Sequence, residues 1–143
     1  MKKFINLFFV LMLLADGALI AFCDDEYKNA MIVGRKNYAN ANFEDMDFSE
    51  KDLSGYDFSN AKLDNTSFRN ANLKNANFQN ASIEKSSFEG ANLENANFEN
   101  ADLEETSLLN ANIENTCFKG TELEYAVWID GKTCGAGSVG SCW

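Results

Sequence analysis

The sequence predicts an all-β fold, a chain wound into a square coil, and three observations carry that prediction. From Phe43 to Trp128 every fifth residue is Phe, Leu, Ile or Trp, eighteen in a row. Two positions before most of these centres sits a small residue, as at Ala61, Thr66, Ala71 and Ser86. Two positions after the centre, Gly or Asn fills twelve of the eighteen places, among them Gly55, Asn60, Asn65, Gly90 and Gly120. A period of five matches neither the helical 3.6 nor the strand 2.

Each observation has a physical reading. The large and the small residue of each five can face inward together while the other three face out. A chain that turns a corner every five residues puts both inside a square. Four sides make one coil, and coils stack at roughly 4.8 Å, the spacing of paired strands. The residue two after each centre is then the second central residue of a type II turn, where φ is positive and Gly or Asn is best tolerated. The corner Asn side chains are also expected to stack from coil to coil as hydrogen-bonded ladders. In the first coil Met46, Lys51 and Tyr56 stand where a small inward residue belongs. A buried Lys is costly without a partner, so this coil is expected to be a distorted end with Lys51 reaching back to solvent.

Segments such as Ala71-Asn72-Leu73-Lys74-Asn75 and Ala91-Asn92-Leu93-Glu94-Asn95 closely resemble the pentapeptide repeat family, whose motif is A-[DN]-L-x-x. The resemblance covers residues 41–130. It implies a right-handed quadrilateral β-helix of about four and a half coils, with short N- and C-terminal caps. The handedness comes from the resemblance and not from the spacing.

The flanks read differently. Lys2 and Lys3 precede an apolar stretch from Phe4 to Ala15, twelve residues and too short to span a membrane as a helix. Residues 1–23 are therefore expected to be a signal peptide, cut after Ala21 or after Cys23, and the protein to be exported to the periplasm or outside the cell. Cleavage after Cys23 takes away two of the twelve basic and one of the twenty-two acidic residues, leaving ten and twenty-one, net −11. Residues 24–40, with Met31, Ile32 and Val33, are assigned to an N-terminal cap that protects the open edge of the coil. Residues 131–143 form a Gly-rich tail bracketed by Cys134 and Cys142. In an exported protein these two read as a disulfide, worth about 2–3 kcal/mol in the chain-entropy model. The Trp128-x-Asp130-Gly131 start of the tail is similar to tails on some exported members of the family. Cys117 falls just before a centre, hence outward, and reads as a free thiol.

Composition narrows the function. The 143 residues include no His and no Pro, and the net charge is −10. Without His, the common zinc ligand and most acid–base and triad chemistry are missing. The acidity argues against nucleic acid and anionic membranes as direct partners. No nucleophile–base pair or phosphate loop occurs in the repeats, so no catalytic residue, cofactor or metal is assigned.

The charge is unevenly placed. On the face centred on Phe43, Leu63, Ile83, Leu103 and Leu123, the twenty-residue period stacks Glu44, Asp64, Glu84, Glu104 and Glu124 in one column. Asp45, Asp102, Glu105 and Glu122 flank it, and only Lys62 and Lys85 oppose them, for a sum of −7. The faces centred on Leu73 and Phe78 are mainly Asn, Ser and Gln. Three readings of the column compete: a solvated face, a docking stripe for a basic protein partner, and a cation site, for which a flat face supplies too few oxygens. Leu109, Val127 and Ile129 form an outward apolar group. It is expected either to be covered by the tail, with Trp143 as the plug, or to serve as a homodimer contact.

The function expected is therefore a non-enzymatic exported binding or scaffold module acting through its acidic face. The alternative comes from resemblance to the quinolone-resistance branch of the family, whose acidic rods imitate DNA and bind DNA gyrase. An export signal and a rod of only about 21 Å stand against it.

Overall fold

The chain divides into two compact units, Met1–Val33 and Gly34–Trp143. A computed structural model describes residues 36–142, all within the second unit. The expected signal peptide, most of the N-terminal cap and Trp143 lie outside the described residues.

The square coil forms as the periodicity predicts. Parallel bridges join Asn42 to Lys62, Lys62 to Ser82 and Ser82 to Asp102, and the other three sides repeat the same twenty-residue step. Each side is too short to be a long strand, so it meets each neighbouring coil through one bridged residue. Three backbone bonds per side hold the stack. The centre's amide donates upward, as Phe58 to the Asn77 carbonyl at 2.7 Å. The corner amide does the same, as Asn60 to Gln79 at 2.9 Å, and the amide before the centre donates downward, as Asn77 to Tyr56 at 2.9 Å. Most backbone groups in the interior of the stack are thus paired with backbone one coil away.

The corners are the type II turns expected. The residue two after each centre has positive φ at all eighteen corners from Asn40 to Tyr125. The turn closes by a bond from the next amide to the centre's carbonyl, as Ala71 to Phe68 at 3.1 Å. Only at Gly131 does the positive φ arrive one residue late, and there the chain leaves the register.

The core is two sets of columns. Phe48, Leu53, Phe58, Leu63, Phe68, Leu73 and their successors up to Leu108 are fully buried. Phe58, Phe78 and Phe98 stack face to face, with centroids 5.1 and 4.7 Å apart, a spacing set by the coil rise. A second aromatic column, Phe48, Phe68 and Phe88, stacks likewise at 5.2 and 4.9 Å. Thr66, Ser86 and Thr106 form a buried hydroxyl spine at the small inward position. Thr66 donates to the Phe43 carbonyl at 2.9 Å, Ser86 to Leu63 at 2.7 Å and Thr106 to Ile83 at 2.6 Å. Each of the upper two hydroxyls also accepts the amide one coil below, Thr66 onto Ser86 and Ser86 onto Thr106.

Three expectations need correction. Among the described residues the ladder runs from Asn37, paired with Asp57, and Tyr38 takes a centre position, so the coil extends into the end of the assigned cap. That coil is not distorted: Phe48 and Leu53 bond upward at 2.7 and 2.8 Å like every other centre. Met46 and Tyr56 are buried inside it and Lys51 is half-buried. The bulky residues fit because backbone register, not the inward side chain, sets the pairing; Tyr56 stacks on Phe58 and Tyr38.

The side-chain ladder is also elsewhere than expected. Among the corner Asn residues one vertical bond forms, Asn80 to Asn60 at 3.4 Å. The ladder runs instead through the residue before the centre: Asn72 to Asp52, Asn77 to Asp57, Asn97 to Asn77 and Asn112 to Asn92, at 3.0–3.2 Å. The reason is local. The Oδ1 of this residue accepts the amide two positions on, as Glu99 to Asn97 at 3.0 Å, which fixes the side chain and aims its Nδ2 at the coil below. Corner side chains are exposed and have no such anchor.

The tail turns back over the last coil as an antiparallel strand. Val127 bridges Thr133 and Glu122 bridges Val139. Cys134 and Cys142 are joined, with Cα atoms 4.8 Å apart, and Cys117 is free and half-buried.

Candidate protein-binding face

Each of three faces carries one ion pair between neighbouring coils. Arg69 meets Glu89 at 2.7 Å, Lys74 meets Glu94 at 2.9 Å and Lys119 meets Glu99 at 2.7 Å, each pair one coil apart. Two of these, the faces centred on Leu73 and Phe78, are the ones expected to carry little charge. The twenty-residue step that brings unlike charges together there brings like charges together on the fourth face.

On that fourth face Glu44 is exposed and Asp64, Glu84, Glu104 and Glu124 are half-buried, one above another. Asp64 is tied down: its Oδ1 accepts from the Ser82 hydroxyl at 2.7 Å and the Glu84 amide at 3.0 Å. Asn42 holds Glu44 at 3.2 Å. Lys85 lies 3.9 Å from Glu84 and 3.8 Å from Glu105, distances that give weak, exposed pairs. Asp45 and Glu105 project from corners at positive φ.

The charge is densest in the upper coils. Carboxylate oxygens of Asp102, Glu104 and Glu122 lie within 4.8 Å of one another. Partial burial raises the Glu104 carboxyl above its ordinary range, and the charges of Asp102, Glu124, Glu122 and Glu84 add to the effect. Three carboxylates on an open face fall short of the six to eight oxygens calcium takes. The chemistry this surface offers is a field of fixed negative charge with one opposing Lys in its upper half.

Tyr125 belongs to this site and sequence reasoning passed over it. It stands at the corner beside Glu124, is 51% exposed, and its hydroxyl is hydrogen-bonded to that carboxylate. The bond, and then the Glu124 charge, raise the phenol above its usual range. A signal was present: Tyr occupies a corner where Gly or Asn is expected. Leu109, Val127 and Ile129 are each half-buried. Val127 is engaged through its backbone with Thr133, and Gly131 passes over the Leu109 side chain.

Residues 21–108 and 58–128 match the family model described as a pentapeptide repeat region. Among proteins of curated function no sequence match is found. Among solved structures, HetL of the cyanobacterium Nostoc sp. strain PCC 7120, involved in heterocyst differentiation regulation, is similar at 29% identity. The match covers 64% of this chain and 42% of HetL, with a TM-score of 0.64, so this chain spans less than half the length of HetL. The pentapeptide repeat protein alr5209, also from Nostoc PCC 7120, is 32% identical over 71% of this chain and 73% of its own, with a TM-score of 0.26. A trypsin-treated form of QnrB1, a plasmid-mediated fluoroquinolone resistance protein, is 24% identical over 67% of this chain and 57% of its own, with a TM-score of 0.36. The eighteen unbroken five-residue units, their twenty-residue coil, the family-model match and the likeness to HetL agree, and the chain belongs to the pentapeptide repeat family, whose right-handed quadrilateral β-helix it adopts.

Proposed function

We propose that this chain is a non-enzymatic, exported binding module that docks a basic protein surface on its acidic face. The observation that carries the reading is the contrast between faces. Three each hold an ion pair between neighbouring coils and carry far less net charge, while the column from Glu44 to Glu124 stacks acid on acid. Adjacent charges at the coil spacing repel by under ~1 kcal/mol in water, which a stable rod tolerates. A basic partner would convert that repulsion into attraction and would be steered to the face over about a Debye length. Tyr125, an amphipathic ring at the edge of the field, is the residue type that anchors protein interfaces. Export rests on Lys2, Lys3 and the apolar stretch that follows them.

The test uses charge reversal with a matched control. Wild type, Glu84→Lys/Glu104→Lys and the control Glu94→Lys/Glu99→Lys are each used to capture partners from the cell-envelope fraction and medium. A partner should be retained by wild type and control, lost by the acidic-face variant, and weakened by salt. Equal retention by both variants refutes the assignment of the face. Intact mass of protein from fractionated cells tests export separately, through loss of the first ~22 residues.

A further inference from the structure

We propose that residues 131–142 form a redox-sensitive cap, latched by the Cys134–Cys142 disulfide over the final edge of the solenoid and loosened by a dithiol reductant. The last coil has no coil above it, so its upward-facing backbone groups need other partners. The tail supplies four. The Leu123 amide donates to the Ser138 carbonyl at 2.9 Å and the Trp128 amide to Lys132 at 2.7 Å. The Cys134 and Gly140 amides donate to the carbonyls of Ala126 and Thr121, both at 2.8 Å. This closes an edge that would otherwise template pairing with another chain.

The tail buries little apolar surface. Cys134 and Ser138 are buried, but Val139, the one large apolar residue of the docked strand, is 53% exposed. Gly131, Gly137 and Gly140 all sit at positive φ, conformations that a free Gly-rich segment samples among many others. Ordering such a segment against four backbone bonds leaves a small margin, and the crosslink decides it.

Both cysteines lie within the tail, so the disulfide does not tie the tail to the rod. It pre-forms the ring that docks. The docked geometry brings the two Cα atoms to 4.8 Å across a sequence separation of 8. A reduced tail must close that loop each time it docks; an oxidised tail has it closed already. The chain-entropy relation puts the difference at roughly 60–80-fold in the docking equilibrium. By linkage, docking favours the disulfide over the dithiol by the same factor.

Access sets the chemistry. Cys134 is 1% exposed, whereas Cys142 is only half-buried, so a reductant thiolate meets the Cys142 sulfur first. It forms a mixed disulfide there, and Cys134 leaves as a thiolate and takes a proton. The second thiol of the reductant then displaces Cys142. Two electrons and two protons pass from the dithiol, which becomes a disulfide. Undocking also frees Glu124, whose carboxylate accepts the Gly137 amide at 3.4 Å, so the latch reaches the upper end of the acidic column.

The test is amide exchange on the full chain in a Cys117→Ser background, oxidised and with dithiothreitol. The amides of Leu123, Trp128, Cys134 and Gly140 should exchange roughly 60–80-fold faster on reduction, while those of Leu63, Leu73 and Phe78 stay unchanged. Cys142→Ser without reductant should reproduce the reduced pattern. Unchanged exchange at the four tail-contact amides overturns the proposal. So does acceleration spread evenly along the rod, which would make the disulfide a general stabiliser, or a Cys142→Ser protein that keeps the oxidised pattern.

Discussion

Thr106→Val isolates the buried hydroxyl spine. Thr106 is fully buried, and valine matches its shape. At Ile83 the usual turn bond from the amide three residues on is missing, and the Thr106 hydroxyl takes its place, donating to the Ile83 carbonyl at 2.6 Å. The same oxygen accepts the displaced Ser86 amide at 3.3 Å. Valine therefore leaves one acceptor and one donor inside the rod without partners. Each orphaned group costs about 1–3 kcal/mol, and the methyl that replaces the hydroxyl returns at most about 1 kcal/mol of burial. The expected net loss is about 2–4 kcal/mol, read from urea unfolding followed by circular dichroism. Thr106→Ser keeps the hydroxyl and should lose only about 1 kcal/mol. Thr66→Val should be milder than Thr106→Val, because the Phe43 carbonyl keeps a turn bond from Met46 at 3.2 Å. A Thr106→Val protein within about 0.5 kcal/mol of wild type, or more stable than Thr66→Val, would show that the hydroxyls fill space and do not hold the corner.

Gly90→Ala should destabilise more than Gly55→Ala: both corners have positive φ, but an added Cβ at position 90 meets Asn70 Oδ1, whereas position 55 opens to free space. Equal losses of about 1 kcal/mol, the price of the conformation alone, would discount that contact. Leu93→Asp puts an unpaired charge between stacked coils at a fully buried centre and should abolish cooperative melting; a wild-type-like melt would sink the register. Glu104→Gln tests the acidic field through pH. The raised carboxyl binds a proton more readily folded than unfolded, which favours the fold below the unfolded value near 4.5 and is lost as pH rises through the folded value. The Gln variant should therefore melt higher than wild type at neutral pH, with the gap closing in acid; a gap that is the same at both would assign the effect to something other than ionisation.

The coil was legible because its causes are local and repeat. A large apolar residue every five, a small one two before it and a left-handed residue two after it each state the same geometry, from Ala61-Lys62-Leu63 to Ala126-Val127-Trp128. What was not legible depended on choices among equivalent polar positions. Asn60 and Asn72 look alike in composition, but only the residue before a centre has an amide within reach to fix its side chain. The first coil was misread because bulky residues at the small inward position were taken to distort it, whereas the backbone pairing holds and Lys51 reaches partly to solvent, as expected, near Asp47. The acidic column could be placed by counting twenties. The ion pairs on the other three faces could have been found the same way, by pairing Arg69 with Glu89 and Lys74 with Glu94. The tail's antiparallel return could not, because thirteen residues without a period contain no register.

The corner column beside the acidic face separates fold from function within this one molecule. Its five corners are Asp45, Asn65, Lys85, Glu105 and Tyr125, so only one follows the Gly/Asn rule. On the other three faces Glu50 alone departs from it. Left-handed backbone costs an ordinary residue about 1 kcal/mol or more relative to Gly or Asn. The residues that follow corners 65, 85 and 105 are Thr66, Ser86 and Thr106, the buried hydroxyl spine. Hydroxyls recur at the small inward position three times in this column and once each in two others, at Thr116 and Thr121. In this column they bond the carbonyls of Phe43, Leu63 and Ile83 from the next coil, which restrains the turns that hold corners 45, 65 and 85. A rod that needed only to fold would use Asn or Gly at these places, as every corner but Glu50 does on the other three faces. The departures collect on the most acidic face, and that coincidence, more than the acidity itself, supports the proposal that this face is a binding surface.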